Sequence, residues 1–156
     1  LRDEHGTLRE LGAFANLVTK TGDNYYAERA AGISSPPGQV TGMKLGTGTT
    51  AVAKSGAGAA IVTYVTSITA SKAIDSTWPQ STRDVPGCQI QWKTSWAAGE
   101  ATQNGLAEVV LSNQSALADT AGSASDSIAR ALLSPTVNKG ASDTLAVIWN
   151  HVLLGA

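Results

Sequence analysis

From residue 39 onward the chain is a succession of short segments rich in Val, Ile, Thr and Trp, punctuated by Gly, Pro, Asn, Asp and Ser. β-Branched and aromatic residues suit a pleated, half-buried surface and the punctuating residues suit turns, so this rhythm predicts strands joined by loops. Six strands are predicted: Gln39 to Leu45, Ala59 to Thr69, Cys88 to Trp96, Leu106 to Ser112, Ser127 to Leu133 and Thr144 to Leu154. In the third, Ile90, Trp92, Thr94 and Trp96 alternate with Gln89, Gln91, Lys93 and Ser95, which places one face in a core and one in water. The last repeats the layout, with Leu145, Val147, Trp149 and His151 opposing Ala146, Ile148, Asn150 and Val152. The second is apolar on both faces, with Ile61 and Val65 opposing Val62, Tyr64 and Ile68, as a sandwich interior requires.

No crossover helix separates these segments, so the pattern predicts an all-β domain over residues 39–156, an antiparallel β-sandwich or a jelly-roll-like barrel. The stretch Gln114 to Leu133 offers apolar residues at helical spacing, but Gly122 and four serines, with Ser134 just beyond, make a continuous helix costly. A loop over 114–126 followed by a strand fits it better.

Residues 1–38 read differently. Residues 1–29 hold nine of the chain's 23 charged side chains, and the segment closes on Pro36-Pro37, which fix φ and remove two backbone donors. Leu8, Leu11, Phe14, Leu17 and Val18 sit at near-helical spacing, yet Gly12, Asn16 and Gly22 weaken a helix, so a helix and an extended strap both remain open. Residues 1–38 are read as an extended N-terminal arm, with Arg9, Phe14, Tyr25 and Tyr26 as its best anchors on a partner.

Composition adds one constraint. Ala 25, Gly 16, Ser 15 and Thr 17 make 73 of 156 residues, and charged residues are only 15%. An exterior so short of charge is either very bland or covered by neighbours, which points to an assembly and a homo-oligomer. The net charge of −1 and the lack of any Lys/Arg run argue against nucleic acid as a partner. The apolar runs, such as Ala57 to Val62, fall short of the roughly 20 residues of a membrane-spanning helix, so no membrane partner is expected. One cysteine, Cys88, excludes an internal disulfide and leaves an intermolecular bridge or an inert thiol, buried or a bystander. The opening Leu1-Arg2-Asp3-Glu4-His5 carries no apolar signal region and does not settle export.

Candidate chemistry is sparse. Gly46-Thr47-Gly48-Thr49-Thr50-Ala51 matches the dinucleotide fingerprint, but Gly56 and Gly58 would break the helix that must follow it, and the next acid is Asp75. A Gly/Thr turn without a cofactor is the better reading. His5 and His151 have no metal-ligand neighbour at suitable spacing, and no G-x-S-x-G occurs, so no metal site and no catalytic residue is assigned. His151 is read as a packed or interface residue. Asp75, Asp84, Glu100, Glu108, Asp119, Asp126 and Asp143 never pair closely in sequence; a glycosidase pair could still assemble in space, which leaves carbohydrate cleavage as a minority alternative, and no small-molecule substrate is expected. Trp78, Trp92 and Trp96 could stack sugars, which keeps a receptor- or glycan-binding module as the alternative; Trp in the core is the commoner role. Glu108 falls mid-strand between apolar residues and needs a partner, for which Arg130 is the natural choice if the two strands are neighbours; the pair is read as a structural ion pair.

Four segments resemble small tailed-bacteriophage virion proteins encoded among head and tail genes: Leu45 to Ala51, Trp96-Ala97-Ala98-Gly99 with Glu108 to Asn113, Ile128 to Ser134, and Lys139 to Trp149. Together they cover roughly residues 44–153 and leave out the arm. The resemblance implies a β-sandwich structural protein with neither active site nor cofactor. It places the protein in a virion, on the capsid surface or alternatively at the neck or tail. The expectation is a capsid decoration or cement protein whose partner is the major capsid protein or another virion protein.

Overall fold

In a computed structural model, described here for residues 1–65, 69–83 and 88–153, the chain is an all-β sandwich of two antiparallel sheets and does not close into a barrel. Its elements are β1 (Asn16–Val18), α1 (Lys20–Ala30), β2 (Gly42–Gly46), β3 (Ser71–Ala73), β4 (Gln80–Thr82), β5 (Cys88–Trp96), β6 (Gln103–Ser112), β7 (Ser127–Lys139) and β8 (Leu145–Leu153). One sheet has the order β1-β7-β6-β2-β3 and the other β4-β5-β8.

The alternation in β5 and β8 sets their faces. Trp92 lies opposite Trp149, Thr94 opposite Val147 and Trp96 opposite Leu145, all pointing inward. They meet Met43 and Leu45 of β2, Val109 and Leu111 of β6, and Ala129 and Ala131 of β7 in one core. Burial of three large indoles at about 150–250 Å² each makes them the main apolar contribution.

The five-stranded sheet is buried on its second face too. Lys44, Gly46, Glu108, Val110, Arg130 and Leu132 share that outer face, because directly paired residues in an antiparallel sheet point the same way. Irregular chain, residues 47–63 and 114–126, lies over it.

Two expectations change. The strand predicted at Ala59 to Thr69 is, in its described part, a 3-10 turn (Ala57–Ala59) and a loop whose one rung is the bridge of Tyr64 to Gly46; Thr66, Ser67 and Ile68 lie outside the described residues. Its apolar residues cover a sheet instead of joining one. The boundary at residue 38 also moves, since β1 pairs Asn16 to Val18 with Ala131 to Ala129 and α1 packs on β7. The helix is capped by Thr19, whose hydroxyl accepts from the Gly22 amide at 3.0 Å. Its close seat depends on Gly22, where a Cβ would come 2.1 Å from the Ile128 carbonyl oxygen. Only residues 1–15 remain as an arm. Cys88 is exposed at the start of β5. The loop over 114–126 is found, with a 3-10 turn (Ala124–Asp126) leading into β7.

Candidate functional site

The polar residues placed inside the fold come first, because they decide which surfaces remain. Arg130 and Glu108 sit on adjacent strands, both fully buried, with Arg130 Nη2 and Nε donating to Glu108 Oε2 at 2.7 and 3.0 Å. The structure thus brings together the two residues paired in the sequence. Each also reaches beyond the pair. The carboxylate accepts from the backbone amides of Gly48, Val62 and Thr63 at 2.9–3.1 Å, and the guanidinium donates to the carbonyls of Thr50 and Gly58. A loop with few partners of its own has its backbone groups satisfied by one ion pair.

This arrangement explains the Gly46-Thr47-Gly48 motif. A Cβ on Gly46 or Gly48 would lie 2.5 or 2.4 Å from Glu108 Oε1. The glycines admit a carboxylate belonging to the chain, a geometry opposite in charge to a phosphate cradle. Gly48→Ala is therefore expected to destabilise by about 1–3 kcal/mol through overpacking; a denaturation midpoint equal to that of the parent chain would contradict this account of the motif.

Two buried lysines act alike on other loops. Lys44 Nζ donates to the carbonyls of Ala118 and Thr120 at 2.8 and 2.7 Å, and Lys139 Nζ to those of Ala97 and Asp143 at 3.0 and 2.7 Å. Burial lowers the pKa of both. Both were missed by sequence reasoning, although Lys44 stands between Met43 and Leu45, the same signal that exposed Glu108.

His151 is buried on the inward face of β8, edge-on to Tyr26, Trp92 and Trp149 with centroids 5.5–6.2 Å apart. Trp149 Nε1 donates to His151 Nε2 at 2.9 Å. An indole N–H can only donate, so Nε2 carries no proton and Nδ1–H faces the Tyr26 hydroxyl. Desolvation lowers the imidazole pKa from 6.5 to about 4. The ring is neutral and packed; His5 lies exposed beside Glu4.

Of the four proposed partner anchors, Tyr25 is buried in the core and Tyr26 is half-buried with its hydroxyl on His151. Phe14 packs half-buried against the core and Arg9 is exposed. Trp92 and Trp96 are buried and cannot be sugar platforms, whereas Trp78 is half-buried. Among the described residues no three His, Cys, Asp or Glu side chains converge as metal ligands; Asp84 lies outside the described residues.

One exposed surface poor in charge is the outer face of the small sheet. Gln80, Thr82, Gln89, Gln91, Lys93, Ser95, Ala146, Ile148, Asn150 and Val152 share this face by register. Lys93 is its one charge, 3.8 Å from Asp75. Ile148 and Val152 are 52% and 50% exposed. Strand β8 pairs with no strand other than β5; on its other edge, among the described residues, Arg2 bridges Thr144 just before the strand and Asn16 Nδ2 reaches the Asn150 carbonyl. That edge borders an open apolar cleft of about 470 Å³ between the sheets, walled by Val109, Leu133, Val137, Leu145, Val147 and Trp149 and roofed by residues 10–14. The signal in the sequence was present: Ile148 and Val152 occupy the side of β8 that a solvated strand would make polar.

Comparison of the chain with protein-family models, with curated proteins and with solved structures finds no match.

Proposed function

We propose that this protein is a non-enzymatic structural component of a bacteriophage virion, a capsid decoration protein that docks on the major capsid protein and cements the shell. The observation that carries the reading is the outer face of the small sheet, ten positions wide with one paired charge and two exposed aliphatic side chains. Four of the chain's 23 charges, Lys44, Glu108, Arg130 and Lys139, are turned inward to hold loops, which leaves the exterior poorer still. Such a face is suited to burial against protein, where charge at the centre is depleted. On a repeating shell, many modest contacts of this kind act together through multivalency. The four segments that resemble tailed-phage virion proteins supply the setting; a neck or tail position would use the same face at lower copy number.

The test is the double substitution Ile148→Glu, Val152→Glu. Both positions are exposed, so the fold should persist by circular dichroism while affinity for particles falls at least tenfold, a change of about 1.4 kcal/mol. Occupancy equal to that of the parent chain would remove this face from the account.

A further inference from the structure

The ladder between β6 and β7 opens at one point near its start. Gln103 pairs with Lys139 and Leu106 with Val137, so Asn104 and Gly105 together stand opposite Asn138 alone, as in a β-bulge. Gly105 takes φ +70°, and a Cβ placed on it would meet nothing within 4 Å. Asn104 is exposed, and among the described residues its side chain makes no hydrogen bond. The chain has six asparagines, and Asn104 alone is followed by glycine; Leu17, Tyr25, Gln114, Lys139 and His151 follow the others.

The peptide that joins Asn104 to Gly105 is held by side chains instead of by the ladder. The Gly105 N–H donates to Asn138 Oδ1 at 2.8 Å, and the Asn104 carbonyl accepts from Gln103 Nε2 at 3.0 Å. A backbone amide with no side chain beside it and a free carboxamide one residue earlier are the two parts of an intramolecular acyl transfer.

We propose that Asn104 is a site of spontaneous deamidation and that Asn138 sets its rate. The Gly105 amide gives its proton to hydroxide and its nitrogen attacks Asn104 Cγ. The N–Cγ bond forms, the Cγ–Nδ2 bond breaks, and Nδ2 leaves as ammonia with a proton from water. Water then opens the five-membered imide. Cleavage at Cγ leaves aspartate, and cleavage at the main-chain carbonyl leaves isoaspartate. Glycine favours the attack because no Cβ obstructs the nitrogen. Asn138 opposes it, holding the proton that must leave and fixing a peptide plane that must turn for the nitrogen to reach Cγ. Either product adds one negative charge to a chain of net charge −1. Isoaspartate also lengthens the backbone by one carbon beside the Gln103–Lys139 rung, and Lys139 holds the carbonyls of Ala97 and Asp143. The inference is independent of the association reading.

The experiment incubates the full chain at pH 7 and pH 9, follows acidic species by isoelectric focusing, and locates them by peptide mass spectrometry. The chain unfolded in guanidinium is the reference. Modification is expected at Asn104 before the other five asparagines, faster at pH 9, and slower in the folded than in the unfolded chain. Asn138→Ala should raise the folded rate about fivefold, the factor that one net hydrogen bond represents. Asn138 is exposed, so this variant should keep its fold by circular dichroism. Asn104→Ser should abolish the acidic species. Modification first at another asparagine, or an acidic species that survives Asn104→Ser, would overturn the site. An unchanged rate in Asn138→Ala, or a folded chain that reacts as fast as the unfolded one, would overturn the role of Asn138. Parent and Asn138→Ala chains that both stay intact at pH 9 while the unfolded chain is consumed would overturn both.

Discussion

Glu108→Gln is expected to lower the stability of the folded chain by about 3–5 kcal/mol, because it leaves the Arg130 guanidinium buried with no charge to balance it. The loss should appear as a shift of the urea midpoint followed by tryptophan fluorescence, and as early proteolysis within 47–63. Those residues come free because the carboxylate binds three of their amides. Replacing both members of a buried pair by apolar residues is often neutral elsewhere. Here it should not be. Glu108→Met with Arg130→Met would remove the partner of the amides of Gly48, Val62 and Thr63 and of the carbonyls of Thr50 and Gly58, and the buried orphans left at Gly48 and Gly58 cost about 1–3 kcal/mol each. A double variant as stable as the parent would show that the loop does not depend on the pair.

The second large effect is acid sensitivity. His151 in the unfolded chain takes up a proton near pH 6.5, whereas in the fold its desolvated ring refuses one until about pH 4. The unfolded state therefore binds more protons throughout that window, so the contribution of the neutral ring is fully present above pH 6.5 and is lost as pH falls toward 4. A difference of this size corresponds to about 3 kcal/mol at the lower end. Protonation also abolishes the acceptor that Trp149 Nε1 uses. His151→Gln keeps an acceptor and removes the titration, so stability measured from pH 7 to pH 4 should fall less steeply in the variant. Parallel pH profiles for the two proteins would contradict the burial of a neutral imidazole.

Strands with one wet face were legible because alternation is a direct imprint of two environments. Strands β5 and β8 show it, and the core could be read from Trp92, Trp96, Trp149 and Leu145. Strand β7 was read six residues short, since Pro135 looks like a stop. The ladder with β6 instead shifts register between the Leu106 and Glu108 rungs, opposite Val137 and Leu132, and accommodates Pro135 there. The segment from 59 to 65 misled for another reason. Its residues are apolar because they cover a sheet, and its amides at Val62 and Thr63 go to the Glu108 carboxylate. Helix α1 hid because it buries Gly22 and Tyr25 alone and so shows no apolar stripe; close approach at a glycine leaves no periodic trace. The Glu108–Arg130 pair could be named because a charge amid apolar strand residues demands a partner, and Lys44, between Met43 and Leu45, gives the same signal with backbone carbonyls as the answer, whereas Lys139, between Asn138 and Gly140, gives none. The cleft beside β8 arises from sheet order, which no local pattern encodes.

The role proposed for this chain is association on a phage particle. Its most direct test is the amount of the chain in purified virions, measured by quantitative mass spectrometry against the major capsid protein. The account predicts that it is present in fixed proportion to that protein and is stripped from the particle by the Ile148→Glu, Val152→Glu substitution. Virions that lack the chain would contradict it.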